Sequence, residues 1–288
     1  MSADSHREAS REQWGSSAEV WARAAEEEET GASASATEWM LAAAGLRPGE
    51  RVLELACGAA RVGFHAADAV RPGGSVLCSD FAEEMVQAVE SRVARTGVEN
   101  VEPRVLDAER LDLDDESFDA VLCRFGYMLM SNPARAMTES RRVLRPGGRL
   151  VLAVWGAPER NPWLTAVTDA TMDRLGAPPP EPGTPGPFAL GEPERLRELL
   201  AGAALEEIDV EAIDAEQPYD SLEGWWLRLR EISGPLAALL DALPAEDAAA
   251  IKSAALSTAE RYVKPGGEVV FPATILGAKA HASKNSPA

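Results

Sequence analysis

Three acidic residues close or sit within short apolar runs. Glu54 lies in Val52-Leu53-Glu54-Leu55, Asp80 follows Val76-Leu77-Cys78-Ser79, and Asp107 follows Val105-Leu106. Between the first two runs lies Ala56-Cys57-Gly58-Ala59-Ala60-Arg61, whose small residues let a backbone pass close to a ligand. If the next segment is a helix, its free N–H groups face that ligand. Asp80 stands 22 residues beyond Gly58, close to the roughly 20-residue interval at which an acidic side chain meets a ribose hydroxyl in a dinucleotide fold. A carboxylate accepts from both ribose hydroxyls and disfavours a 2′-phosphate. The chemistry indicated is the holding of a nucleoside-bearing ligand at strand ends.

The elements that must position these groups alternate regularly. Arg51–Ala56, Ser75–Ser79, Val101–Leu106, Phe118–Cys123 and Arg149–Trp155 read as strands; residues 60–70, 82–96 and 132–144 read as helices, the last capped by Asn132 and stopped by Arg145-Pro146-Gly147-Gly148. Met85, Val86, Val89 and Val93 mark one face of the second helix. Residues 176–187 form a Pro/Gly-rich linker, 191–202 a helix, Leu205–Ile213 a sixth strand, 219–263 a helical segment and Val269–Ala278 a last strand. This pattern predicts an α/β chain: a doubly wound, mostly parallel seven-stranded sheet of Rossmann-like type with helical cap or lid insertions. In such sheets ligands sit outside the carboxyl ends of the strands, at the switch point. Upstream, residues 1–10 read as disordered and 11–46 as two or three helices split near Thr30-Gly31, with Glu26–Glu29 a solvated face.

Composition excludes other classes. The 288 residues carry a formal charge of -19 and 45% apolar residues. Nucleic acids and anionic membranes are therefore poor partners, because phosphate binding relies on Lys and Arg. No run approaches the ~18 apolar residues of a membrane helix, and charged and small residues after Met1 argue against a signal peptide. Cys57, Cys78 and Cys123 read as buried thiols of a cytoplasmic protein; their spacing suits no metal site, and none is expected.

Val52-Leu53-Glu54-Leu55-Ala56-Cys57-Gly58 resembles the cofactor motif of class I S-adenosylmethionine-dependent methyltransferases. Ser79-Asp80-Phe81-Ala82-Glu83-Glu84-Met85 and Leu106-Asp107-Ala108-Glu109 resemble the family's segments after the second and third strands. Ser117-Phe118-Asp119-Ala120-Val121 through Arg141-Arg142-Val143-Leu144-Arg145-Pro146-Gly147-Gly148-Arg149-Leu150 is similar to the type 11 small-molecule branch. The likeness covers about residues 46–156. It implies S-adenosylmethionine as cofactor and a small-molecule methyl acceptor. Glu54 and the backbone of Ala56 and Gly58 would hold the methionine portion, and Asp80 the ribose. Phe81 and Met85 would pack on the adenine, whose amino group Asp107 would accept from while the Ala108 backbone reads the ring edge. The Arg124 carbonyl would face the cofactor's amino group. The family usually has G-x-G-x-G in the loop; here the outer positions are Ala56 and Ala60, where any positive φ would be strained.

The element pattern, with the resemblance over its core, divides the chain into an N-terminal helical lid (1–45), the S-adenosylmethionine-binding core (46–156), a remainder of the core (157–218), a helical cap insertion (219–263) and a last strand with tail (264–288). Trp14 and Trp21 would cover the cofactor, Trp225 and Trp226 would line the acceptor pocket, and Tyr127 is the candidate catalytic contact. His6 and His281 read as tail residues and His65 as a helix residue. A monomer or homodimer is expected. The alternatives are a non-catalytic cofactor-binding module and a nicotinamide-dependent oxidoreductase, the latter lacking G-x-G-x-x-G and a Tyr-x-x-x-Lys pair.

Overall fold

The computed structural model describes residues 3–27, 29–181 and 183–284. Three helices, α1 (Ala3–Ser16), α2 (Ala18–Glu26) and α3 (Gly31–Ala44), precede β1 (Arg51–Leu55), α4 (Arg61–Ala69), β2 (Ser75–Asp80), α5 (Glu83–Thr96), β3 (Val101–Val105) and β4 (Phe118–Arg124). Then follow α6 (Pro133–Val143), β5 (Leu144–Trp155), α7 (Pro162–Leu175), α8 (Pro193–Gly202), β6 (Leu205–Tyr219), α9 (Leu222–Ile232), α10 (Gly234–Ala242), α11 (Ala245–Ala259) and β7 (Val269–Ala282). No helix among the described residues is long and apolar enough to cross a membrane.

The seven strands lie in the order β3-β2-β1-β4-β5-β7-β6. β1 to β5 pair in parallel, and β7 runs antiparallel to both β5 and β6. The central strands are nearly continuous apolar runs, as burial on both faces requires: Val52, Leu53, Val121, Leu122, Val151 and Leu152 are fully buried. Pro103 is tolerated because β3 is an edge. β1 pairs with β2 on one side and β4 on the other, so the switch point falls at the carboxyl ends of β1 and β4.

Four local features differ from the sequence reading. Residues 3–10 are helical, part of α1; residues 1–2 lie outside the described residues. α7, within 157–175, carries Trp163, Leu164 and Val167 into the core. β6 runs six residues past Ile213, to Tyr219, because those residues pair with Val269–Thr274 of β7. His281 belongs to β7, opposite Arg149, and not to a tail.

Asn132 caps α6 as expected, its Oδ1 accepting from the Arg135 N–H at 3.0 Å.

Candidate functional site

One cavity of about 520 Å³ opens at the switch point, within the size range of small-molecule sites. Its walls include Trp14, Glu54, Ala56, Gly58, Asp80, Phe81, Met85, Asp107, Ala108 and Arg124. The sequence separates these residues widely, and the parallel pairing of β1 to β4 brings their carboxyl ends to one side.

The loop after β1 is wound left-handed at three positions: Ala56 (φ 48°), Gly58 (φ 51°) and Ala60 (φ 55°). Such a conformation costs an alanine about 1–2 kcal/mol. Ala60 is fully buried, so glycine there would also forfeit a packed methyl group worth about 0.8 kcal/mol. Ala56 is only partly buried. Ala56→Gly is therefore expected to stabilise the protein by up to about 1 kcal/mol and Ala60→Gly to be near neutral, the glycines' extra unfolded-state entropy included. Urea unfolding measures both; a loss of more than about 1 kcal/mol on Ala56→Gly would show that the loop does not bear this strain. The Ala56 methyl also makes Gly126 necessary, since a Cβ at 126 would lie 2.6 Å from it.

Asp80 is buried at the end of β2. Its Oδ2 accepts the Gly58 N–H at 3.0 Å and its Oδ1 the Ala82 N–H at 3.1 Å. Burial raises its pKa, and these N–H groups oppose the rise. Each oxygen keeps a lone pair for a hydroxyl. Glu54 is 2% exposed, and its Oε2 accepts the Gly63 N–H at 2.9 Å. Burial pushes its pKa up to about 7, against the pull of the Arg124 charge, Cys78 and Gly63. A Cβ on Gly63 would lie 2.4 Å from both Glu54 Oε2 and Cys78 Sγ, so α4 can approach the sheet only with glycine there.

At the opposite end, Phe81, Met85, Leu106 and Ala108 give an apolar wall. Asp107 Oδ1 accepts the Glu109 N–H at 2.8 Å. Arg7 of α1 reaches Asp107 Oδ2 at 3.8 Å and pairs with Glu109. Glu109, 3% exposed, also accepts the Asn132 N–H at 3.0 Å, so it ties α1, the β3 loop and α6 together. Sequence reading gave Glu109 no role of its own.

The N-terminal helices close the cavity. Trp14 and Trp21 lie 6.2 Å apart and pack with Ala18 on Phe81, Ala82 and Met85, in a small cluster separate from the main core. Glu29 is not a solvated residue. Its carboxylate pairs with Arg124, accepts from Thr37 Oγ1 at 2.8 Å and lies 3.4 Å from Arg61 Nε. Arg61 also donates to the carbonyls of Ala24 and Glu27, the last turn of α2.

Two expectations fail. Tyr127 does not line the cavity: a short turn after Gly126 points it inward, where it is fully buried and its hydroxyl lies 2.6 Å from Ser140 Oγ. Burial raises its pKa well above that of an ordinary phenol. Tyr127→Phe should therefore cost about 0.5–1.5 kcal/mol of stability and leave affinity for S-adenosylhomocysteine unchanged. Calorimetry alongside urea unfolding checks this, and an altered affinity at full folding would contradict the burial argument. Trp225 and Trp226 are also core residues. Trp225 packs 5.0 Å from Phe271 and donates to the Trp163 carbonyl at 2.8 Å. The same helix offers the cavity Arg228 and Ile232 instead, and the extended end of β6 offers Gln217 and Tyr219.

An open, mostly parallel sheet with a nucleoside-sized cavity at its switch point defines a Rossmann-like cofactor-binding fold. Residues 52–148 match the family described as "Methyltransferase domain". The chain is 39% identical over 110 residues to a demethylmenaquinone methyltransferase of Clavibacter sepedonicus, covering 38% of this chain and 43% of the relative. It spans half or less of the curated relatives it matches. Its fold is that of the YcgJ protein of Bacillus subtilis (TM-score 0.57, 21% identity, 87% of this chain and 99% of that one). It is also that of the [4+2]-cyclase SpnF (TM-score 0.53, 20% identity, 86% and 80%).

The residues present fit S-adenosylmethionine. Trp21 Nε1 and Ser131 Oγ line the cavity and are buried without a hydrogen-bond partner in the protein, as donors and acceptors meant for a ligand would be.

Proposed function

We infer that the chain transfers a methyl group from S-adenosylmethionine to a small molecule. The observation that carries this reading is the pairing, in one cavity, of the buried Asp80 carboxylate, which anchors the Gly58 loop, with an apolar slot beside Asp107. When bound, the cofactor supplies a methyl sulfonium. The chain's own residues then bind and align. Asp80 accepts from the ribose hydroxyls, Phe81 and Met85 cover the adenine, and Asp107 accepts from its amino group. Glu54, with the Ala56 and Gly58 backbone and the Arg124 carbonyl, holds the methionine end. Alignment alone can contribute ~7–11 kcal/mol to a displacement of this kind. The acidic surface of a chain with formal charge -19 favours a small acceptor over nucleic acid. Three free thiols suit the cytoplasm.

Calorimetry tests the reading. S-adenosylhomocysteine should bind and NAD should not; binding of NAD alone would overturn it, and methyl release onto an acceptor separates an enzyme from a binding module. Glu54 adds a signature. Its folded pKa, about 7, lies above the unfolded value of 4.5. Its share of stability is thus fully present below about pH 4.5 and is lost as pH rises through 7. A cationic amino group placed beside it favours the ionised form, so binding near about pH 6.5 should release up to about one proton. Buffers of differing ionisation enthalpy read that release. It should vanish in Glu54→Gln; a release that persists there assigns the proton to another group.

A further inference from the structure

The acceptor half of the cavity has a polarity that the cofactor does not explain. Tyr219 ends β6 and lines the cavity, its ring edge-on to the buried Phe271 at 6.0 Å. The Ala32 N–H, at the start of α3, donates to Gln217 Oε1 at 3.1 Å. Gln217 lies beside Tyr219 and opposes the rise that burial gives its pKa. The protonated Tyr219 hydroxyl can donate to a group in the cavity. Burial raises the Tyr219 pKa, so the group is a donor and not a base.

Arg228 stands beside it on α9 and also lines the cavity. Its charge is only partly offset. Glu231, 2.8 Å away, is shared with Arg23 of α2 at 2.8 Å, so the three groups carry one net positive charge. Phe125, Leu129, Met130 and Ile232 add apolar and aromatic surface to the cavity. Phe125 is stacked on Trp155 at 4.3 Å and presents a fixed flat ring. The Glu29 carboxylate is committed to Arg61, Arg124 and Thr37, and neither His65 nor His281 lines the cavity.

We propose that Tyr219 and Arg228 form an oxyanion site for the methyl acceptor, which is a flat, apolar molecule reacting as its phenolate or enolate. The proposal rests on the methyltransferase reading above and names its substrate class. An O–H donor and a guanidinium in a cluster of one net positive charge, beside an apolar wall, favour the anion over the neutral form. The acceptor's proton leaves to solvent, so no protein base is needed. The electron pair of the anion, on oxygen or on the conjugated carbon, forms the bond to the donor methyl as the carbon–sulfur bond breaks. The electrons of that bond stay on sulfur, and the charges of anion and sulfonium cancel. Tyr219 and Arg228 act on the acceptor and leave the cofactor to the other half of the cavity.

The test uses the full chain saturated with S-adenosylhomocysteine and two chromophoric acids, 4-nitrophenol and acetylacetone, titrated by absorbance with and without protein. The ionised form of at least one probe should bind about tenfold or more tightly than its neutral form, which appears as a fall of about one unit in the bound probe's pKa. Tyr219→Phe and Arg228→Met should each reduce that preference to about threefold or less, while affinity for S-adenosylhomocysteine stays within about twofold and reports intact folding. The proposal is overturned if neither probe binds at millimolar concentration, if the wild-type preference is absent, or if both variants retain it. Failure of the wild-type chain to bind S-adenosylhomocysteine would instead remove the methyltransferase reading, and the same titrations on the free chain would still decide whether the oxyanion site exists.

Discussion

Asp80→Ala is expected to weaken S-adenosylhomocysteine binding by about 1.5–3 kcal/mol, roughly 10- to 150-fold, with the fold retained. The carboxylate does two things at once. It anchors the loop by accepting the Gly58 and Ala82 N–H groups at 3.0 and 3.1 Å, and it keeps lone pairs for the two ribose hydroxyls. Alanine removes the acceptors for the ribose and frees a loop that already holds two alanines left-handed. The stranded N–H groups border the cavity, where water can reach them, so stability should change less than affinity. Asp80→Asn is the sharper control. Both carboxylate oxygens accept from backbone, so an amide must turn its NH₂ toward one of those N–H groups. Asparagine should thus restore little of the lost affinity. Calorimetry with circular dichroism checks the pair. A dissociation constant unchanged in Asp80→Ala would remove the ribose assignment, and recovery in Asp80→Asn would remove the loop-anchoring argument.

The cavity wall formed by Glu54, Asp80 and Asp107 was legible because its residues are tied to strand ends, and strand ends are local features. Apolar runs that hold or end in these acids mark where the backbone leaves the sheet, whatever the tertiary arrangement. The wall formed by Gln217 and Tyr219 was not legible in the same way. Asp214-Ala215-Glu216-Gln217-Pro218-Tyr219 is polar and contains proline, so nothing local marks it as strand, and Tyr219 falls at the start of the segment expected to be helical. It becomes strand only because β7 supplies hydrogen-bond partners and because Pro218 lies on an edge strand, where a missing donor is tolerated. That extension carries Gln217 and Tyr219 to the cavity. Tyr127 was misplaced for a related reason. The resemblance placed it at the pocket, but direction depends on a single turn after Gly126, which sends it to Ser140. Trp225 and Trp226 show the limit of composition: aromatics in a helix pack in the core as readily as they line a pocket, and here Trp225 has Phe271 and Trp163 as neighbours. Glu29 was hidden by its run of acidic neighbours, since nothing local distinguishes it from the exposed Glu26 and Glu27.

Arg124→Met should detach the N-terminal helices from the cavity. Glu29, Arg61 and Arg124 are at most 15% exposed in their side chains, so the cluster is close to a buried ion triad. Removing one partner of a buried pair costs about 3–5 kcal/mol, because the other charge is left uncompensated. Local opening avoids that cost by returning Glu29 to water. What opposes opening is small: the Trp14, Ala18 and Trp21 cluster on Phe81, Ala82 and Met85, the Arg7 contacts, and Arg61 on the α2 carbonyls. α9 is differently placed, with Trp225 and Leu229 fully or almost fully buried in the main core. We propose that α1 and α2 are a lid and that α9 belongs to a fixed cap. Hydrogen exchange should show amides of residues 18–27 losing about tenfold or more of their protection in Arg124→Met, with α9 unchanged. In the wild-type chain, S-adenosylhomocysteine should raise protection in the same segment and not in α9. Affinity for the ligand should fall about tenfold in the variant, since ligand binding must then restore the docked state. Equal protection of residues 18–27 in wild type and variant, with and without ligand, would make the N-terminal helices a rigid part of the fold and defeat the lid.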